Sequence, residues 1–239
     1  MNKLLIANWK MNPDSEEAAV GLAHATDLEG VIICPPFIYL ESIRGALKNA
    51  QLGAQDIFLS DGKPHTGEVS AAQLKEAGVE YVIVGHSERR ALGETNELIS
   101  LKLKAALSAG IRPILCVGEG DREDPTSEEF ITEEINNALS GLDKKEEIIV
   151  AYEPIWAISS NEGANAADPD YVKKMIKKII RLSRKHIHHP TVIYGGSTNS
   201  ANIQSYLGLD GVEGVLVGSV SLQSAEFAKM AEIIKKNNK

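Results

Sequence analysis

The sequence predicts an α/β protein that folds as a single (β/α)8 barrel domain spanning residues 1–239, and three observations support this prediction. Short apolar runs alternate with longer amphipathic segments about eight times along the chain. The 239 residues suit one barrel better than two average domains, and no linker or low-complexity tract divides them. A doubly wound open sheet is the alternative, but no Gly-x-Gly-x-x-Gly turn follows the first apolar run.

Eight short apolar runs are predicted to form the strands of the barrel, because strands buried on both faces have continuous apolar sequences. These runs are residues 4–7, 31–34, 51–54, 81–84, 113–117, 148–152, 191–194 and 215–217.

Three helix starts are indicated by residues that commonly cap helix N-termini. They are Asp14 with Glu17, Thr126 with Glu129, and Asp168 with Pro169. The helix predicted over residues 169–186 has apolar side chains at helical spacing, with lysines on its other face.

Composition limits the classes of function. The formal net charge of −8 gives no support to a nucleic-acid or anionic-membrane partner. Cys34 and Cys116 lie in apolar runs without zinc-site or disulfide spacing, which is typical of reduced thiols in a cytoplasm. Residues 1–12 lack the apolar core of a signal peptide, and no apolar run is long enough to span a membrane. We therefore expect a soluble, cytoplasmic protein.

The most informative stretch is the end of the sixth predicted strand. The strand is followed by Glu153 and by Pro154, which stiffens the chain as it leaves the sheet. Residues 159–166 are small and polar, a composition typical of a mobile loop. A carboxylate beneath such a loop indicates a base for proton transfer. By itself, a solvated glutamate at the entry of a loop is an equally good interpretation.

Other predicted strands also end in reactive side chains. Asn8 and Lys10 follow the first strand, and alternation along an extended segment would send both to one side. An amide donor and a cation together suit an oxygen that gains negative charge. His86 lies in a tight turn after Gly85, with Glu88 two residues later. The alternatives are a solvated lysine and a structural histidine.

Two glycine-containing turns follow the seventh and eighth predicted strands. They are Gly195-Gly196-Ser197 and Gly218-Ser219. Barrels of this kind commonly bind phosphate with the loops after these two strands, where backbone N–H groups can approach an anion closely. The turns therefore indicate a phosphate site.

These motifs, in this order, resemble the triosephosphate isomerase family along almost the whole chain. The residues that carry the resemblance are 7–12 (ANWKMN), 53–56 (GAQD), 66–68 (TGE), 84–90 (VGHSERR), 115–119 (LCVGE), 151–158 (AYEPIWAI), 194–197 (YGGS) and 216–218 (LVG).

The resemblance implies a TIM barrel that interconverts dihydroxyacetone phosphate and glyceraldehyde 3-phosphate through an enediolate, with no cofactor and no metal. Glu153 would be the base that takes a proton from the carbon beside the carbonyl. His86 would act on the enediolate oxygens, and Lys10 and Asn8 would supply a cation and an amide donor. This family is itself the standard example of a carboxylate base that works beside a neutral histidine.

The resemblance also implies supporting residues and an oligomeric state. Glu88 would pair with Lys10, and Cys116 would lie in the shell behind the catalytic residues. The loop that carries Thr66 would insert beside the active site of a second copy, so that a homodimer is expected. Backbone N–H groups would hold the substrate phosphate at Ser159, Ser197, Gly218 and Ser219.

Two features depart from the pattern of the family. Residues 159–162 (SSNE) stand where the family usually has Gly-Thr-Gly-Lys, in a longer loop, and Ser219 replaces a second glycine. These departures leave two alternatives to the isomerase. One is a related barrel that isomerises or binds another phosphorylated small molecule, and the other is a non-catalytic barrel used as a scaffold.

Overall fold

The fold is a closed barrel of parallel strands. A computed structural model of the protein describes residues 2–59, 62–122, 124, 126–158 and 166–238. In this part of the chain, strands pair in sequence order and the last strand pairs with the first, which closes the barrel. The strands are β1 (Leu4–Asn8), β2 (Val31–Cys34), β3 (Gln51–Ala54), β4 (Tyr81–Val84), β5 (Arg112–Val117), β6 (Ile149–Tyr152), β7 (Thr191–Tyr194) and β8 (Gly214–Val217).

The prediction of a (β/α)8 barrel is confirmed, and each predicted strand is present with ends that match to within one residue. Helices connect successive strands and pack around the outside. They are α1 (Glu16–Thr26), α2 (Leu40–Ala46), α3 (Ala71–Glu76), α4 (Ser87–Ala91), α5 (Asn96–Ser108), α6 (Ser127–Leu139), α7 (Pro169–Ser183), α8 (Ile203–Leu207) and α9 (Ser224–Asn237). Short 3₁₀ turns occur at Phe37–Tyr39, Ile155–Ala157 and Ser219–Leu222.

The predicted helix caps are partly confirmed. Asp168 caps α7, and its side chain accepts hydrogen bonds from two backbone N–H groups of the first turn. The prediction for Asp14 was wrong, because α1 begins at Glu16 and the hydroxyl of Ser15 accepts from the N–H of Ala18. A serine one residue later thus accepts from one of the N–H groups that have no partner within the helix.

The other two helix predictions also need correction. Thr126 precedes α6, but its hydroxyl donates to Asp124 and caps no backbone N–H of the helix. Helix α7 ends at Ser183, before the predicted end at His186. The N–H groups of His186 and Ile187 both bond to the Ser183 carbonyl, so the chain turns there and buries Ile187.

Apolar side chains fill the inside of the barrel. The inward set contains isoleucines from six strands together with both cysteines, and its members are Ile6, Ile32, Cys34, Ile83, Ile114, Cys116, Ile149, Ala151, Ile193 and Leu216. A second apolar cluster lies between the strands and the helices. Because the barrel interior is packed, ligands have access only at the strand ends. No helix in the described residues has the length and apolar composition needed to cross a lipid bilayer.

A buried cluster of charges joins the loops after β3 and α4 to helix α5. The side chain of Lys102 is only 1% exposed, and its Nζ lies 2.7 Å from Asp56 Oδ1 and 2.5 Å from Glu94 Oε1. Arg89 contacts the same two carboxylates, at 3.1 Å and 2.6 Å. Burial raises the pKa of Asp56, although the Lys102 ammonium opposes this shift. The Lys102 ammonium therefore stabilises the ionised form of the buried Asp56 carboxylate.

We expect Lys102→Ala to lower the free energy of unfolding by about 3 kcal/mol, because it leaves buried carboxylates without their central cation. Urea denaturation at fixed protein concentration measures this effect. Lys104→Ala is the matched control, since Lys104 is exposed on the same helix and its loss should change stability by about 0.5 kcal/mol or less. Equal losses in the two variants would contradict a stabilising role for the cluster.

Candidate active site

A cavity of about 200 Å³ opens at the C-terminal ends of the strands. It brings together six residues that the sequence predicted for the site: Asn8, Lys10, His86, Glu153, Gly218 and Ser219. Sequence reasoning missed other residues of the lining, among them Thr198, Val220 and Leu222, since neither their type nor their position alone indicates chemistry.

The backbone of Glu153 is held tightly between two neighbouring strands. Its N–H donates to the carbonyl of Val117 at 2.8 Å, which extends the pairing of β5 and β6 by one residue. A Cβ atom added to Gly118 would lie 1.9 Å from the Glu153 carbonyl oxygen, and one added to Gly195 would lie 2.5 Å from Glu153 Cγ. Both neighbours must therefore be glycine for this glutamate to occupy its position.

The carboxylate of Glu153 is desolvated, since the residue is only 2% exposed. Burial raises the pKa of Glu153, and the nearby His86, Cys116 and Lys10 side chains oppose this shift in part. Neither carboxylate oxygen has a hydrogen bond of good geometry to another described residue. The carboxylate is thus a stronger base than a solvated one, and it lies at the wall of the cavity.

His86 faces this carboxylate, with its Nε2 atom 3.7 Å from Glu153 Oε2. His86 precedes helix α4, and its Nδ1 atom accepts a hydrogen bond from the N–H of Glu88 at 3.2 Å. An accepting Nδ1 carries no proton, so in the neutral ring the proton is on Nε2. The helix start therefore assigns the tautomer and leaves an N–H donor at the cavity.

Lys10 has a left-handed backbone, with φ of 53°. Its N–H donates to Asn8 Oδ1 at 3.1 Å, its carbonyl accepts from Gln55 Nε2 at 2.8 Å, and its Nζ lies 2.5 Å from Glu88 Oε1. The prediction that Asn8 and Lys10 share one side of an extended segment was wrong, because β1 ends at Asn8. Both residues still line the cavity. The polar contacts of Lys10 stabilise its left-handed backbone, a conformation that is unfavourable for lysine.

Gln55 is a positioning residue that sequence reasoning did not identify. It directly follows β3 and also donates to the carbonyl of Cys34 at 3.0 Å. A polar residue immediately after a barrel strand was the available signal.

The predicted phosphate-binding residues differ in whether they line the cavity and whether their N–H groups are already bonded. Gly218 and Ser219 line the cavity, where a 3₁₀ turn begins after β8. In this conformation the N–H and the hydroxyl of Ser197 both donate to the Ala157 carbonyl, each at 2.9 Å. Its N–H is therefore already bonded. Ser159 lies outside the described residues.

Glu119 anchors the segment that follows Glu153. This carboxylate is fully buried, and its Oε1 atom accepts hydrogen bonds from the Tyr152 hydroxyl, the Trp156 indole N–H and the Tyr171 hydroxyl, at 2.9, 2.9 and 3.0 Å. The guanidinium of Arg122 lies over the rings of Tyr171 and Trp156, at 4.8 Å and 5.8 Å from their centroids. The Trp156 indole is therefore held in a fixed position, two residues before Ile158 in the sequence.

Cys116 lies behind the base, and it is fully buried. Burial and the nearby Glu153 carboxylate raise the pKa of the Cys116 thiol. The thiol is thus an unreactive neighbour of the carboxylate and no nucleophile.

A second cavity of about 260 Å³ adjoins the first and shares Asn8, Lys10 and His86 with it. Its wall also includes Phe37 and Gly67. Thr66, next to Gly67, is exposed, and Ile38, next to Phe37, is 79% exposed. Large apolar side chains are thus exposed beside the cavity that contains Asn8, Lys10 and His86.

The chain is similar to known proteins over almost its whole length. It matches the model of the triosephosphate isomerase family over residues 3–234. It is 38% identical to a triosephosphate isomerase of Dictyoglomus thermophilum, with 94% of this chain and 96% of that protein covered. Triosephosphate isomerases of Dehalococcoides mccartyi (39% identity, 96% of both chains) and Aquifex aeolicus (38% identity, 96% of this chain and 98% of that protein) are similarly close. The chain belongs to the triosephosphate isomerase family.

Proposed function

We propose that this protein interconverts dihydroxyacetone phosphate and D-glyceraldehyde 3-phosphate by proton transfer through an enediolate. Membership of the family makes the chain an isomerase whose substrate is a triose phosphate. The observation that carries the mechanism is the pairing of a desolvated carboxylate, Glu153, with the Nε2 atom of His86 at 3.7 Å.

In this mechanism the Glu153 carboxylate accepts the proton from the carbon next to the carbonyl and returns it to the neighbouring carbon. The electron pair of the broken C–H bond moves towards the carbonyl oxygen, so the enediolate carries the negative charge. His86 donates its Nε2 proton to that oxygen and takes a proton from the other oxygen. The net change is a shift of two hydrogens, with no oxidation or reduction of the enzyme.

Lys10 and Asn8 stabilise the developing charge. The ammonium of Lys10 is only partly neutralised by Glu88, because the Glu88 side chain is 56% exposed and shares its interaction with water. Asn8 uses its Oδ1 atom to accept from the Lys10 backbone, which leaves its Nδ2 group to donate to a ligand oxygen. Both side chains line the cavity that contains Glu153.

The substrate phosphate binds at the end of β8 in this proposal. Gly218 and Ser219 can present backbone N–H groups to the cavity, and Lys10 lies close by, since a Cβ added to Gly218 would be 3.6 Å from Lys10 Cε. Ser197 would join them only after its N–H leaves the Ala157 carbonyl. We also assign Ser159 to the phosphate, as the family resemblance implies.

We also propose a homodimer and a cytoplasmic location. The exposed apolar surface around Phe37 and Ile38, beside Thr66, supports the dimer, because it would be buried against a second copy. The two free and buried cysteines, Cys34 and Cys116, are compatible with a reducing compartment.

Steady-state isomerisation of glyceraldehyde 3-phosphate tests the function. Glu153→Gln should lower kcat by about 10³-fold and leave the circular dichroism spectrum unchanged, because the amide has the same shape but cannot accept the proton. In the wild type, kcat/KM should fall as the pH drops through the raised pKa of Glu153, since only the ionised carboxylate is a base. Near-normal turnover by the variant would refute the assignment of the base.

Gly195→Ala tests the packing around Glu153. The new methyl group would meet Glu153 Cγ at 2.5 Å and push the carboxylate away, which should lower kcat by about 10²-fold. Gly120→Ala is the control, since a Cβ at Gly120 meets nothing within 4 Å and kcat should change by about twofold or less. A Gly195→Ala enzyme as active as the control would show that the position of Glu153 tolerates this contact.

Light scattering coupled to size-exclusion chromatography tests the dimer. We expect the molar mass of two chains for the wild type and of one chain for Ile38→Arg, because a charge would be buried at the interface. Phe130→Arg should remain a dimer, since Phe130 is exposed on α6 away from this surface. A monomeric wild type would overturn the proposal.

A further inference from the structure

Glu134 is a buried carboxylate outside the cavity that the mechanism above does not use. It lies on α6 and is only 1% exposed. Its Oε2 atom accepts a hydrogen bond from the N–H of Gly118 at 2.9 Å, and its Oε1 atom lies 3.1 Å from Arg90 Nε. A helix of the outer layer thus reaches the C-terminal ends of two barrel strands.

Both partners of Glu134 lead directly to the base. Gly118 is packed so closely on the Glu153 backbone that an added Cβ would lie 1.9 Å from the Glu153 carbonyl oxygen. Arg90 donates to the carbonyl of Cys116 at 3.3 Å, and the Cys116 thiol stabilises the Glu153 carboxylate. A shift of the Glu134 carboxylate would therefore move the residues that surround Glu153 on two sides.

Arg90 is held in place by further contacts. Its Nε–H donates to the Gly85 carbonyl at 2.7 Å, and its NH1 group donates to Asn96 Oδ1 at 2.7 Å. Because the Nε–H bond is used by Gly85, the interaction of Arg90 with Glu134 Oε1 is an ionic contact without a hydrogen bond. The carboxylate is therefore close to a cation but incompletely satisfied.

We propose that Glu134 is a positioning residue of the isomerase, which acts through Gly118 and Arg90 to hold the end of β5 against Glu153. This role rests on the proposed function, because it concerns the base of that reaction. It assigns catalytic importance to a residue that contacts neither the substrate nor the cavity.

The charge of Glu134 gives this role a measurable signature. Burial raises the pKa of Glu134 to about 7, with the nearby carboxylates of Glu119 and Glu153 acting in the same direction and Arg90 and the Gly118 N–H opposing them. Glu134 is therefore protonated below about pH 7 and ionised above it. An ionised Glu134 keeps Arg90 in place and strengthens Glu153 as a base, so kcat should fall as the pH drops through about 7.

Steady-state kinetics from pH 5.5 to 9, with three variants, test the proposal. Glu134→Ala removes the acceptor of the Gly118 N–H and should lower kcat by about 10-fold or more at pH 8. KM should stay within about twofold, since the phosphate contacts after β8 are untouched. Glu133→Ala is the matched control, because Glu133 is the exposed neighbour on the same helix, and it should behave as the wild type.

The Glu134→Gln variant separates the positioning effect of the side chain from the effect of its negative charge. Its amide oxygen can still accept from Gly118, so kcat at pH 8 should return to within about threefold of the wild type. The step in kcat near pH 7 should be absent, because the amide does not titrate. A residue with a purely structural role would change the melting temperature and leave this step in place.

The outcomes are distinct. A folded Glu134→Ala enzyme with wild-type kcat, or a Glu134→Gln enzyme that keeps the step near pH 7, would overturn the role of Glu134. If Glu134→Ala does not fold, the pH profile of Glu134→Gln decides. A wild-type protein without isomerase activity would refute the proposed function and this role with it. If the wild type is active, Glu153→Gln is inactive and Glu134→Ala is unaffected, only the role of Glu134 is refuted.

Discussion

The desolvation of the Glu153 carboxylate is the constraint on which the rest of the structure depends. A buried carboxylate with no well-formed hydrogen bond from the described residues is unfavourable for stability, so it persists only where the backbone conformation is strongly determined. Here the Glu153 N–H bonds to Val117, and the Gly195 N–H bonds to Tyr152 at 2.8 Å. Hydrogen bonds to the neighbouring strands on both sides therefore hold the Glu153 carboxylate in a buried position, where it would otherwise be solvated.

The other polar groups of the cavity are oriented by neighbours that follow different strands. The helix after β4 assigns the proton of His86 to Nε2. Gln55, after β3, supports the left-handed backbone of Lys10, after β1. Because each barrel strand delivers its last residues to the same rim, groups that are far apart in sequence become partners. This arrangement preorganises the site before substrate binds.

Stability and function share residues on the β4 side of the barrel. Arg89 belongs to α4, the helix that His86 caps, and it joins the buried cluster around Lys102. Arg90, one residue later, contacts Glu134 and the ends of β4 and β5. Ion pairs that hold this helix against α5 and α6 thus also hold His86 and Glu88 at the cavity. Loss of these ion pairs would change the geometry of the site and also lower the free energy of unfolding.

The sequence alone determined the strands and the chemistry at their ends. Strands covered on both faces have short, mostly apolar sequences, so their bounds were predicted to within one residue. The polar side chains that follow the strands were then identified from the sequence. Only the tertiary structure decided the left-handed Lys10, the bonded N–H of Ser197 and the helix cap at Ser15. It alone also identified Lys102 and Glu134 as buried, because charged residues on helices look solvated in a sequence. Their burial depends on which distant residues meet, and local sequence patterns carry no record of those contacts.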